Sequence, residues 1–291
     1  MNDVGNIQWF PGHMTKTRRL IEADLKMVDA VVEITDARIP ESSRNPILDE
    51  LVRDKPRIIL MNKCDYADEA ATRAWKQFYE KKGIRVLTCD CRSGKGLNAF
   101  LPEVKRLLAE LIERRKKRGM IGKALRLMVV GIPNVGKSSF INRMAKTKKT
   151  KVGDKPGVTR GKQWVSIDKD VELLDMPGIL WPKFDDQTAA QRLAFTGAIK
   201  DDVMDTEALA RALGTVLKEQ YPELLNARYK LTGEEDILRD IARSRGMLIS
   251  GGEPDTERAA AALLDEYRGG KIGRITLERP GSADSAGRRN A

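Results

Sequence analysis

Apolar and polar positions follow two rhythms along this chain. Short, mostly apolar runs lie at 30–34, 58–61 and 84–87, with helix-like stretches at 70–81 and 98–114. A second block opens with the run 125–130, continues with helical apolar positions at 140–144, and closes with strand-like runs at 164–167 and 171–174. Alternating β and α segments of this size predict an α/β domain with a doubly wound, mostly parallel sheet. After about residue 183 the strand signal stops. Leu209, Ala212, Leu213, Val216 and Leu217 recur at helical spacing. Thr232 and Glu235 form a capping-box pattern ahead of Ile237, Leu238 and Ile241. Asp255 is placed to cap a helix carrying Leu263, Leu264 and Tyr267, with Gly269 beyond its end. The pattern predicts a first domain at 1–183, a smaller all-α domain at 184–280, and a small, polar, disordered tail at 281–291.

Composition narrows the class. The 291 residues are 41% hydrophobic but only 5% aromatic, so the core is aliphatic. The formal net charge of +11 favours an anionic partner, nucleic acid above all. That charge is concentrated in a linker at 113–123, with six basic residues and one acid, and at 146–162, with seven and one. Residues 183–291 carry 17 basic and 19 acidic residues and are nearly neutral. Three cysteines without ligand-like spacing exclude a disulfide framework and a zinc site. No signal-like apolar stretch opens the chain and no apolar run approaches the roughly 18 residues of a membrane span, so a cytoplasmic protein without membrane contact is expected.

Gly131-Ile132-Pro133-Asn134-Val135-Gly136-Lys137-Ser138 fits the phosphate-binding pattern G-x-x-x-x-G-K-[ST], between an apolar strand and a helix as that pattern requires. Backbone N–H groups of Asn134, Val135, Gly136, Lys137, Ser138 and Ser139 would wrap phosphates. Lys137 would reach the β and γ phosphates, and the Ser138 hydroxyl would hold Mg²⁺. Asp175-Met176-Pro177-Gly178 follows another strand. A carboxylate there can hold Mg²⁺ through water, and the Gly178 N–H can meet a γ-phosphate. Thr159 is the candidate threonine that ligates Mg²⁺ in the triphosphate state, with Thr150 as the alternative.

The base is read elsewhere. Asn62-Lys63-Cys64-Asp65 ends the apolar run at 58–61. The Asp65 carboxylate can accept both guanine N1–H and N2–H, whereas adenine has no proton at N1. Asn62 would brace the loop and reach N7, and the Lys63 stem would pack along the base. A kinase or ATPase reading fails on this segment. Thr88-Cys89-Asp90-Cys91-Arg92 stands where guanine sites are closed by a S-A-K segment. The Cys91 N–H would meet guanine O6, and Arg92 would stack in place of the usual lysine. Unlike the order in Ras-like proteins, the guanine segment precedes the phosphate loop, as a circular permutation with its old ends joined through the basic linker produces.

With Trp9-Phe10-Pro11-Gly12-His13-Met14, Asp36-Ala37-Arg38-Ile39-Pro40 and Gly178-Ile179-Leu180-Trp181-Pro182-Lys183 added, the set resembles the circularly permuted ribosome biogenesis GTPase A (YlqF/RbgA) family. The resemblance spans residues 9–183. It implies a P-loop GTPase that binds GTP/GDP with Mg²⁺ and K⁺. Its partners would be the immature large (50S) ribosomal subunit and its rRNA, with hydrolysis to GDP and phosphate as a late assembly and release switch. A monomer is expected. The alternative is the same enzyme acting on the small subunit, an organellar ribosome or another RNA.

Ile179 occupies the place of the water-orienting glutamine of Ras-like enzymes, and an alkyl side chain cannot orient water. The resemblance assigns that role to His13, the single histidine of the chain. It also gives Asn134 a K⁺ ion beside the phosphates, which would neutralise developing charge together with Lys137. His13→Ala is expected to lower particle-stimulated turnover while leaving GTP affinity nearly unchanged. Equal losses in stimulated turnover and nucleotide binding would mark His13 as structural.

Overall fold

The computed structural model describes residues 14–52, 55–120, 122–146, 163–178, 186–199, 204–233 and 236–281. Its centre is a six-stranded sheet of β1 (Ala30–Asp36), β2 (Arg57–Asn62), β3 (Arg85–Thr88), β4 (Leu125–Val130), β5 (Gln163–Asp168) and β6 (Val171–Asp175). The spatial order is β3-β2-β1-β4-β6-β5, parallel except for the antiparallel β5–β6 pair. The expected α/β layout is therefore present. The parallel strands β1, β2 and β4 are buried along nearly their whole length, as their mostly apolar sequences require. At the edge, β5 leaves Trp164 exposed.

Helices cover both faces. On one, Ala30, Val32 and Ile34 pack with Leu127 and Val129 against Phe100 and Phe140, whose rings meet edge to face at 5.0 Å. Phe100 and Val104 belong to α4 (Phe100–Leu107), and Phe140 to α6 (Lys137–Lys146). On the other, Val31, Met128 and Leu174 meet Ile21 and Leu25 of α1 (Met14–Leu25) and Leu48 of α2 (Pro46–Leu51). Beside them Ile59 and Met61 meet Trp75 and Tyr79 of α3 (Glu69–Lys81). The stretch expected as one helix at 98–114 divides at Leu108. Its second part, α5 (Ala109–Lys117), has no fully buried residue and ends in the basic linker.

Five further helices follow: α7 (Gln187–Phe195), α8 (Thr206–Gln220), α9 (Pro222–Tyr229), α10 (Ile237–Ser244) and α11 (Thr256–Arg268). Aspartates start four of them. Asp186, Asp205, Asp236 and Asp255 each accept a backbone N–H in the first turn. The capping box expected at Thr232 and Glu235 is corrected here: Asp236 is the cap of α10. Thr232 instead donates to the buried Asp240 carboxylate from its N–H and its hydroxyl, while Glu235 lies outside the described residues.

Beyond α11 the chain leaves the helices and runs back over the loops that follow β1 and β2. The Ile275 N–H donates to Tyr66 O and the Leu277 N–H to Arg38 O, both at 2.8 Å. The Glu278 carboxylate accepts from the N–H groups of Glu41 and Ser42. Trp75 closes this seam: it stacks on Tyr79 with centroids 5.5 Å apart, and its Nε1–H donates to Glu278 O at 3.0 Å. Trp75→Ala is expected to cost about 3–5 kcal/mol of stability. Trp75→Phe, which keeps most of the packing and loses the donor, is expected to cost about 1–2 kcal/mol. Urea denaturation measures both, and a Phe variant as stable as the parent would show that the bond to the returning segment contributes nothing.

Candidate nucleotide site

The phosphate loop bridges β4 and α6. Its residues Asn134, Gly136, Lys137, Ser138 and Ser139 line a cleft of about 470 Å³ together with Asp175 and Gly178. Parallel register sets Asp175 beside Val129, so both loops leave the same edge of the sheet, at the carboxyl ends of their strands. Lys137 is 9% exposed, and its ammonium donates to the Gly131 and Ile132 carbonyls at 2.9 and 2.8 Å. Burial draws its pKa down to about 8, against the opposing pull of Asp175. An ammonium held by two neutral carbonyls gains from an added phosphate. Gly178 has no room for a side chain: a Cβ there would lie 3.0 Å from Lys137 Nζ and 3.1 Å from Pro133 N.

The guanine segment meets the phosphate loop through Asn62. Its Nδ2 donates to Val135 O at 2.7 Å, and its Oδ1 accepts the Cys91 N–H at 2.9 Å. One amide thus clamps three loops, and the site has a definite shape before any ligand arrives. Gly136 makes this possible: its φ is +100°, and a Cβ there would stand 2.3 Å from Asn62 Nδ2. Asp65 Oδ1 is buried and has no hydrogen-bond partner among the described residues. Burial raises the Asp65 pKa. A shielded acceptor left without a donor is what guanine N1–H and N2–H would satisfy.

The closing segment is held from within. Asp90 accepts the N–H groups of Arg92 and Ser93, and its pKa is lowered: burial opposes ionisation, but these bonds outweigh it. The Arg92 guanidinium lies 6.0 Å from the Tyr66 ring. The Cys91 N–H, expected at guanine O6, donates to Asn62 Oδ1 in this structure. His13, Thr159 and Thr150 lie outside the described residues, as does the whole 179–185 segment after Gly178, Ile179 included.

Sequence reasoning missed what holds Lys63. Its backbone is left-handed, with φ +61°, and its ammonium pairs with Asp36 Oδ2 at 2.9 Å. Arg38 grips the same carboxylate through Nε at 2.9 Å and Nη2 at 2.7 Å, and all three residues are largely buried. Burial alone would raise Asp36, but the Arg38 and Lys63 charges hold it well below the usual carboxylate range. The signal was present: an acid and a base two residues apart at the end of an apolar strand, quoted only for the resemblance.

A hydroxyl at Ser138 and a carboxylate at Asp175 in one cleft are hard oxygen donors suited to Mg²⁺. Together with a cleft for phosphates and a shielded carboxylate for the base, the geometry is that of a guanine nucleotide site. The description "50S ribosome-binding GTPase" matches residues 126–227. Ribosome biogenesis GTPase A of Bacillus licheniformis is 47% identical over 94% of this chain and 98% of its own length. Its counterpart in Priestia megaterium is 46% identical over 96% and 98%. The solved structure of GNP-bound YlqF from T. maritima superposes with a TM-score of 0.62 at 31% identity, covering 91% of this chain and 99% of that one. With the guanine and phosphate loops brought into one site and relatives alike over nearly their whole length, the chain belongs to the ribosome biogenesis GTPase A family of GTP hydrolases.

Proposed function

We propose that this GTPase engages the immature large (50S) ribosomal subunit in its GTP form and leaves it on hydrolysis to GDP and phosphate. The observation that carries the reading is the Asn62 clamp, which joins a guanine-selective loop to a phosphate loop in a family whose description names the 50S particle. In this scheme Asp65 selects guanine, with Lys63, Cys91 and Arg92 around the base. Lys137 and the N–H groups of residues 134–139 hold the phosphates. Ser138, Asp175 and Thr159 would hold Mg²⁺, which would supply positive charge beside the γ-phosphate. Asn134 offers an oxygen to K⁺, Gly178 meets the γ-phosphate, and His13 orients water once the particle is bound.

The distribution of charge supports an rRNA partner. The arginines of the C-terminal helices are largely matched by acids: Arg228 and Arg245 by Glu266, Arg211 by Glu207 and Asp236, and Arg239 by Glu253. On the linker, Arg114, Lys116, Lys117 and Arg118 are exposed. These, with the basic residues of 146–162, are the better phosphate contacts, and the helical part adds shape. A monomer in the cytoplasm suits this role. Among the described residues no helix is long and apolar enough to cross a membrane.

GTP turnover in potassium buffer is expected to rise strongly with purified large subunits and not with small ones, and particle binding is expected to weaken as salt rises. Stimulation by neither particle, or binding insensitive to salt, would remove the large subunit or the phosphate contacts from the scheme. Asp65→Asn is expected to weaken GDP binding about a hundredfold, the worth of two charge-assisted bonds, and to admit xanthine nucleotides, whose C2 carbonyl accepts from an amide. Fluorescent GDP and xanthosine diphosphate titrations check it. Unchanged selectivity would place the base elsewhere.

A further inference from the structure

A second path joins the two nucleotide loops, and it runs outside the sheet. Asn134, at the tip of the phosphate loop and with φ +61°, donates from Nδ2 to Gly197 O at 2.5 Å. Gly197 lies in the turn that ends α7. That turn is fixed by Arg268, the last residue of α11, whose Nε donates to Phe195 O at 3.1 Å and whose Nη2 donates to Ala194 O at 2.9 Å. These are carbonyls at the open end of α7, which a guanidinium fork satisfies well. The backbone of α11 completes the path. Tyr267 O and Arg268 O accept from Arg38 Nη1 at 3.3 and 3.2 Å, and Arg38 holds Asp36, which holds Lys63 of the guanine segment.

We infer that Arg268 is a positioning residue for GTP hydrolysis. It sets the 195–197 turn, and through the Gly197 carbonyl it orients the Asn134 amide at the phosphates. An amide whose nitrogen is engaged by a carbonyl keeps its oxygen as a free acceptor, so this bond decides which end of Asn134 faces the cleft. Because the end of α11 is bound to Arg38 on one side and to α7 on the other, a shift of α11 changes the phosphate loop and the guanine segment together. The helical part thereby reports to both ends of the nucleotide. The inference rests on reading residues 131–138 as the phosphate loop and does not depend on which particle is bound.

A double-mutant cycle on the full chain tests it, with Arg268→Ala, Asn134→Ala and their combination. Three quantities are measured for each: single-turnover GTP hydrolysis, fluorescent GDP affinity and thermal midpoint. Each single variant is expected to slow hydrolysis about tenfold, with the double variant no slower than Asn134→Ala alone. GDP affinity of Arg268→Ala is expected to stay within about twofold, because the guanine segment, the Asn134 side chain and the backbone N–H groups of the phosphate loop remain. Arg268→Lys, which can reach one carbonyl, is expected to recover part of the rate. Multiplying losses in the double variant, an unchanged rate in Arg268→Ala, or GDP affinity that falls in step with the rate would overturn the proposal. If Arg268→Ala does not fold, Arg268→Lys takes its place in the cycle, judged by the same outcomes. Lys137→Ala serves as the control: if it keeps full nucleotide affinity, the reading of the phosphate loop has failed, separately from the link through Arg268.

Discussion

Much of this structure depends on one buried ion pair, Asp36 with Arg38. Both side chains are within 2% of full burial, so the pair costs desolvation, and its geometry has to offset that cost. It does so through a dense set of hydrogen bonds. The carboxylate takes Arg38 in a fork, the Arg38 N–H and the Lys63 ammonium, and the remaining guanidinium donor reaches the carbonyls at the end of α11. The Tyr267 and Tyr66 rings flank the guanidinium at 5.2 and 5.9 Å. Removing Asp36 would leave the buried Arg38 and Lys63 charges without their shared carboxylate, and removing Arg38 would cut the tie of the guanine segment to the helices.

The same region explains how residues far apart in sequence become neighbours. The loop after β1 is buried under the returning segment at 271–279, and the loop after β2 is bonded to it through Tyr66, Ala67 and Cys64. The last described part of the chain is therefore a support for the base-reading loop. In a permuted arrangement this is economical in contacts: the element order places the guanine loop early and the phosphate loop in the middle, and the chain end ties back to the former while α7 touches the latter.

The electrostatic layout follows a matching division. Arg211, Arg228, Arg239 and Arg245 of the helical layer are paired with acids, and these pairs stiffen it. Among the described residues, exposed basic side chains without an acidic partner collect on α5, which has no fully buried residue. A protein of net charge +11 thus keeps its helical part close to neutral.

What the residues alone determined was local chemistry. Strand–loop–helix context around Lys137, the strand-end carboxylates Asp65 and Asp175, the apolar runs of a parallel sheet and the aspartate at 255 are short-range patterns, and each was legible because a few neighbouring residues suffice to cause it. The division of the 98–114 helix and the role of Asn62 as a clamp were decided by tertiary structure. Whether Asn62 faces a base or two other loops depends on where Val135 and Cys91 arrive, 73 and 29 residues away. The path from Lys63 through Arg38 and Arg268 to Asn134 has the same origin. Its links span up to 230 positions, and hydrogen bonds of that kind leave no periodic trace in a chain, because they are set by how packed layers meet and not by what stands beside each residue.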